Sequence, residues 1–322
     1  MSTDLNPVKL SGPTMGTSWS AELGVPAATG LAALERALAE AVARVDGQMS
    51  TWKADSDLMR LNGAPVGQWV AVPGELMQVL ARGLEIGRLS NGAFDIGLGD
   101  LVHAWGFNAP EPNEAAIRAA LGKPRRPAHE RLELDPEAGR ARKLEPVALD
   151  LSGIAKGYGV DLMMQVCDDF AIPSALVALD GELRAKGVGP DGRPWAVAIE
   201  KPDYDHRHAL SMLELQDAAV ATSGDYRHWI EVGQTRLCHT MDRNKGGPVQ
   251  PGIASVTVVA ADCMTADAMA TAILVSGRQK GIDLANRHGI DCLILERSAD
   301  GIVQHRVGPI FAPASKPAPA PS

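Results

Sequence analysis

Aromatic residues are scarce in this chain: Phe, Trp and Tyr make up 4% of 322 residues. A flat ring held by the protein has few side chains to stack on, so a tryptophan in a polar stretch is informative. Basic charge is in deficit, with 31 Lys and Arg against 39 Asp and Glu and a formal net charge of -8. That argues against nucleic acid as the main partner, since a phosphate backbone selects basic surfaces. A small phosphorylated ligand, met by a local cluster and a metal ion, stays compatible. No run of about 18 apolar residues occurs, so no segment is expected to span a membrane. Cys167, Cys238, Cys263 and Cys292 show no C-x-x-C spacing. This disfavours zinc and leaves free thiols in a reducing compartment as the expectation. The opening residues, "MSTDLNPVKLSGPTMG", contain no apolar signal-peptide core, and the chain is expected to be cytoplasmic. Neither common phosphate-loop pattern, G-x-x-x-x-G-K-[ST] or G-x-G-x-x-G, frames Lys156 in residues 150–161.

What is present is ordinary globular composition, 45% hydrophobic and 22% charged, in a chain long enough to bury a substantial core. "TSWSAEL" (17–23) reads as an opening strand. "TGLAALERALAEAVARVDGQMS" and "PGELMQVLARGLEIGRLSNG" carry apolar residues at helical spacing. Residues 108–146 are polar and rich in Pro and Arg. They are expected to form a variable insertion with a short helix (113–121) and a hairpin (131–144). "VALDL" reads as a strand and "AKGYGVDLMMQVCDDF" as a helix. Short strands then follow between turn residues, and "MTADAMATAILVSG" and "RQKGIDLANRHG" read as helices before a final hairpin. Meandering strands point to an α+β fold, with antiparallel or mixed sheets flanked by helices. One unit over residues 1–311 is expected, followed by a disordered Pro/Ala-rich tail (312–322).

Several stretches carry chemistry. In "DLSGIAKGYGVD" (150–161), glycines surround Lys156 at a helix entry. Helix N-termini attract phosphate, so a pyrophosphate cradle and plain close packing are both open readings. Asp267 and Thr271 lie four apart on one helix and share a face. Their hard oxygens suit Mg²⁺, but a carboxylate in a first helical turn is also favoured by the helix dipole alone. His239 follows an apolar strand, the usual place for a general base. With Asp242, Arg243 and Lys245 it forms a cluster able to face an anionic substrate. "VATSGDYRHW" reads as a polar turn through Thr222, Ser223 and Gly224. Trp52 stands beside Lys53 in a polar stretch, and Phe94 and Asp95 lie in a glycine-punctuated loop.

The motifs "PTMGTSWS", "MSTWKADSDLMRLN", "NGAFDIGLGDL", "LDLSGIAKGYGVD", "LDGELRAKG", "ATSGDYRHW", "CHTMD" and "DAMATAILV" occur in this order. Together they resemble the FAD:protein FMN transferases, the ApbE-type flavin transferase family, over roughly residues 11–311. The resemblance implies a T-fold-like α+β scaffold. It also implies a Mg²⁺-dependent enzyme that cleaves FAD, passes FMN to a Thr or Ser hydroxyl of an acceptor flavoprotein subunit, and releases AMP. By the same resemblance, Met15, Trp52, Ala93, Phe94, Asp95, Asp150, Lys156 and Met241 match flavin-nucleotide contacts. The Gly153 carbonyl with Asp267 and Thr271 matches the metal site, and His239 matches the base. Asp180 and Asp225 fall in family motifs without an assigned role. Arg243 departs from the family's usual proline. Two other functions share these residues: a Mg²⁺-dependent FAD pyrophosphatase, and a non-catalytic FAD-binding protein.

Overall fold

The computed structural model describes residues 5–312, apart from 109–110, 124, 205, 228, 233–234 and 250–251. The expected tail from 313 onward lies outside the described residues. An eight-stranded sheet organises the chain, and each of its pairings is antiparallel. Its strands are β1 (Leu5–Thr14), β2 (Thr17–Pro26), β3 (Ser174–Leu179), β4 (Glu182–Lys186), β5 (Ala219–Gly224), β6 (Ile253–Ala260), β7 (Asp291–Ser298) and β8 (Gly301–Val307). They lie side by side in chain order. The expected α+β class stands, in its antiparallel form.

β1 escapes sequence reading because Pro7 and Pro13 interrupt it. An edge strand tolerates them, since one side needs no ladder donors. β1 turns into β2 through Met15 and Gly16, at φ 46° and 71°. β3 turns into β4 through Asp180 and Gly181, at φ 53° and 108°. Two-residue turns with both φ values positive match the twist of the strands they join. The two turns are neighbours, since Thr17 Oγ1 donates to Asp180 Oδ1 at 3.1 Å.

Period-two alternation assigns the sheet's faces. Trp19, Ala21, Leu23 and Val25 of β2 are buried with residues of α1 (Leu31–Met49) and, across the chain, α6 (Ala155–Asp169). The other helices are α2 (Asp57–Gly63), α3 (Gly74–Leu89), α4 (Gly99–Ala104), α5 (Glu114–Ala120), α7 (Cys263–Ser276) and α8 (Arg278–His288). Cys292 and Ile294 of β7 are buried in one core with residues of α7 and α8. Leu293 and Leu295 of the same strand face the other way, under a hairpin of Trp195–Glu200 and Ala209–Leu215. α7 has buried residues right round its circumference, as a helix in the middle of a core must.

Two sequence expectations change. "VALDL" buries Val147, Leu149 and Leu151 but is not a strand. Its neighbour is the loop before α4, with Asp150 N–H donating to Ile96 O at 2.8 Å and Gly99 N–H to Ala148 O at 2.9 Å. The 219–224 stretch is strand β5 to its last residue, so Thr222, Ser223 and Gly224 form no turn. Within 108–146, the expected helix is α5. The expected hairpin is Leu132–Asp135 with Arg140–Lys143, the latter pairing with Val70–Ala71. Among the described residues no helix is long and apolar enough to cross a membrane. The four cysteines are free and buried.

Candidate active site

A cavity of about 980 Å³ opens where the two tight turns meet the ends of α1 and α6. Met15 and Gly16 form part of one wall, with Trp52 at the rim. Trp52 is 71% exposed, which leaves its indole face open to a flat ring. Ala93, Phe94 and Asp95 form a second wall, and Asp150, Gly153 and Lys156 a third. His239 and Met241 stand on a fourth, and Thr271 reaches in from α7. Residues far apart in sequence and expected to act together thus surround one space. Asp267 is not part of the lining. It lies just beneath, joined to the site through Gly157 and Lys156.

Lys156 sits in the first turn of α6. Its ammonium lies 3.1 Å from Asp180 Oδ2 and 2.9 Å from Glu182 Oε1. Burial disfavours its charge, but Glu182, Asp267 and Asp180 outweigh that and hold its pKa above the ordinary lysine value. Burial pushes the carboxyls of Glu182 and Asp267 up, and Lys156 opposes the rise in both. The result is a fixed positive charge beside the cavity, with surplus carboxylate beneath it.

The dipole reading of Asp267 does not hold. α7 begins at Cys263, and Asp262 caps it by accepting the Thr265 N–H at 2.8 Å. Asp267 therefore stands beyond the first turn. Its Oδ2 accepts the Gly157 N–H of α6 at 3.1 Å. Gly157 makes this approach possible, because a Cβ there would come within 2.4 Å of the Cys263 carbonyl. The open-amide cradle also changes. Ile154 and Ala155 donate to Leu151 O at 3.0 and 2.8 Å, and Gly157 donates to Asp267. What faces the cavity is the lysine rather than these amides.

The donor set fits a hard cation. A Cβ on Gly153 would stand 3.3 Å from Thr271 Oγ1, so the 153 backbone and the Thr271 hydroxyl are close neighbours. Thr271 Oγ1 is in turn 2.9 Å from Ser223 Oγ on β5. Carbonyl, hydroxyl and a buried carboxylate are oxygen ligands of the kind Mg²⁺ takes. A buried carboxylate stabilised by a cation also accounts for an acid in the middle of an apolar helix.

Two further acids present unsatisfied oxygens. Asp150 Oδ1 accepts from Ser152 N–H at 2.9 Å, while its Oδ2 is buried without a protein partner. Asp95 Oδ1 accepts the amides of Gly97 and Ala128 at 2.8 and 3.0 Å, and its Oδ2 is likewise unpartnered by hydrogen bonds. Burial raises the pKa of both groups. His239 makes an edge contact with Phe107, with ring centroids 6.3 Å apart.

The cluster expected around His239 is divided. His239 lines this cavity, whereas Asp242 and Lys245 line a neighbouring one of about 680 Å³. Arg243 turns into the 91–95 loop. Asp225 lines neither cavity and pairs with Arg297 at 2.8 Å. Sequence reasoning missed Glu182, Ser223, Phe107, Arg227 and Trp229. Glu182 lies in "LDGELRAKG", and Ser223, Arg227 and Trp229 in "ATSGDYRHW", so motif membership was the available signal. Their partners lie on other elements, which a linear pattern does not show.

An aromatic rim, a buried lysine and an oxygen donor set in one large cavity define a protein shaped for a ligand with a flat ring and a phosphate chain. The chain belongs to the ApbE family, whose model matches residues 15–294. A FAD:protein FMN transferase of Vibrio cholerae serotype O1 is 35% identical over 306 residues, covering 92% of this chain and 90% of that protein. One from Haemophilus influenzae is 32% identical over 310 residues, covering 92% and 88%. Solved structures agree. Flavin transferase ApbE from Vibrio cholerae superposes with a TM-score of 0.83 at 32% identity, over 95% of this chain and 98% of that one. The apo form of the Pseudomonas stutzeri flavinyl transferase ApbE gives 0.82 at 32% identity, over 95% and 96%.

Proposed function

We propose that the protein is a Mg²⁺-dependent flavin transferase that cleaves FAD and transfers FMN to a Thr or Ser hydroxyl of an acceptor flavoprotein, releasing AMP. The observation that carries this reading is the meeting of Lys156, Gly153, Thr271 and His239 on the walls of one cavity, with Asp267 directly beneath. Relatives at 32–35% identity are named for this reaction.

Trp52 and the Ala93–Asp95 loop are assigned to the flavin ring and its chain. The unpartnered oxygen of Asp150 accepts a ligand N–H or O–H. Lys156, held in place by Asp180 and Glu182, contributes a fixed positive charge to the pyrophosphate. The Gly153 carbonyl, Asp267 and Thr271 would hold Mg²⁺. Bound there, the ion would offset pyrophosphate charge as phosphoryl-transfer chemistry requires.

The acceptor hydroxyl oxygen attacks the phosphorus of the FMN half. His239 takes the hydroxyl proton. A new P–O bond forms to the acceptor, the bond from that phosphorus to the bridging oxygen breaks, and AMP leaves with the bridging oxygen. The protein's part is mainly positioning and charge, since this transfer asks little covalent work of it.

The test is AMP release from FAD with Mg²⁺, with and without an acceptor flavoprotein, together with in-gel flavin fluorescence of the acceptor. AMP accompanied by a covalently fluorescent acceptor is the expected result. AMP without a labelled acceptor would replace the transferase by a pyrophosphatase. Bound FAD with no AMP would replace it by a carrier.

A further inference from the structure

Arg243 belongs to the turn that follows the His239–Asp242 segment, yet its guanidinium leaves that turn. It enters the loop across from it. Nε donates to the Gly92 carbonyl at 3.4 Å and Nη2 to the Asn91 carbonyl at 3.5 Å. Nη1 donates to the Arg125 carbonyl, on the segment leading into the 128–144 region. Nε also lies 3.7 Å from Asp95 Oδ2, the oxygen that is buried without a hydrogen bond. The Arg243 side chain is only 14% exposed.

The loop is shaped to receive it. Gly92 sits at φ 74°, and a Cβ there would stand 2.8 Å from Arg243 Nη2. A guanidinium withdrawn from water is costly unless its donors are met. A planar fork with several donors is the group able to meet carbonyls on two segments and a carboxylate at once. The loop it enters and the segment that carries it both border the cavity. Ala93, Phe94 and Asp95 form one wall, and His239, Thr240 and Met241 another.

We propose that Arg243 is a positioning residue that fastens the Asn91–Asp95 loop to the His239–Met241 wall, so that the ligand-contacting loop and the histidine-bearing wall keep one relative geometry. Without it the loop must be ordered by the ligand, and that ordering cost falls on binding. The inference rests on FAD occupying the cavity.

Arg243→Met keeps the aliphatic stem and removes the donors. The FAD dissociation constant, from fluorescence titration in Mg²⁺ buffer, is expected to rise on the order of ten-fold. Backbone hydrogen exchange is expected to quicken in both 91–95 and 239–246, while exchange in α1 and α6 stays unchanged. Arg243→Lys, which keeps the charge without the fork, is expected to fall between the parent and the Met variant. It carries the same test if the Met variant does not fold. FAD affinity within about two-fold of the parent, with unchanged exchange in both segments, overturns the inference alone. A parent protein that does not bind FAD overturns the functional reading and the inference with it.

Discussion

Replacing Lys156 with methionine keeps most of the stem and deletes the charge. In the parent the ammonium pairs with Glu182 at 2.9 Å and Asp180 at 3.1 Å. Glu182 is 5% exposed at its side chain, while Lys156 and Asp180 are each 24% exposed. Removing one member of a buried ion pair costs about 3–5 kcal/mol, because the stranded charge stays desolvated. Partial exposure of two members places this case at the low end, about 3 kcal/mol. With an unfolding entropy of about 2.1 cal/mol/K per residue, that lowers Tm by about 4 °C in a chain of 322 residues. The loss has a pH dependence of definite sign. Burial raises Glu182 and Asp267, and Lys156 opposes the rise, so without it both carboxyls go higher. A carboxyl raised in the folded state holds its proton more tightly there than in the unfolded chain. Its stabilising contribution is complete below the unfolded pKa, near 4, and is lost as pH rises through the folded value. The slope is about 1.4 kcal/mol per pH unit per group. The gap between parent and variant should therefore be small at pH 5 and widen as pH rises through the parent's folded values, about 6 for Asp267 and about 8 for Glu182, so that it is clearly larger at pH 9. Melting both proteins in EDTA, so that no divalent ion replaces the lysine, measures it. An equal Tm difference at pH 5 and pH 9, or none at pH 9, would refute the buried-cluster account.

Mg²⁺ is expected to raise the Tm of the parent and not of Asp267→Ala, and AMP release should vanish in that variant; retained activity would remove Asp267 from the metal site. His239→Ala should slow transfer by about 10²- to 10⁴-fold with FAD affinity kept, and an unaltered pH–rate profile would deny it the role of base. Gly157→Ala places a methyl within 2.4 Å of the Cys263 carbonyl, so α6 and α7 must separate. A loss of at least about 2 kcal/mol in denaturant unfolding is expected, and parent-like stability would show that the contact relaxes freely.

Much of the scaffold was legible because its signals are local. α1 and α3 follow their apolar spacing, and the strands after residue 174 follow alternation and turn residues. The failures have physical causes. β1 carries prolines that only an edge position accommodates. Val147–Leu151 has the composition of a strand but meets a loop instead of a neighbouring strand. Asp267 looks like a first-turn acid until Asp262 is seen capping α7.

The sequence by itself determined the α+β class, the order of the motifs and the residue types that carry the chemistry, since periodicity and motif identity are properties of the chain read in line. Only the tertiary structure decided which of those residues meet. Asp267 of α7 reaches the Gly157 amide because two helices cross at a glycine. Glu182 holds Lys156 because a tight turn brings β4 beneath α6. Arg243 leaves its own turn for the 91–95 loop because backbone carbonyls and a buried carboxylate await it there. Burial and ion pairing depend on distances through space, and those exist only once the helices and the sheet have packed.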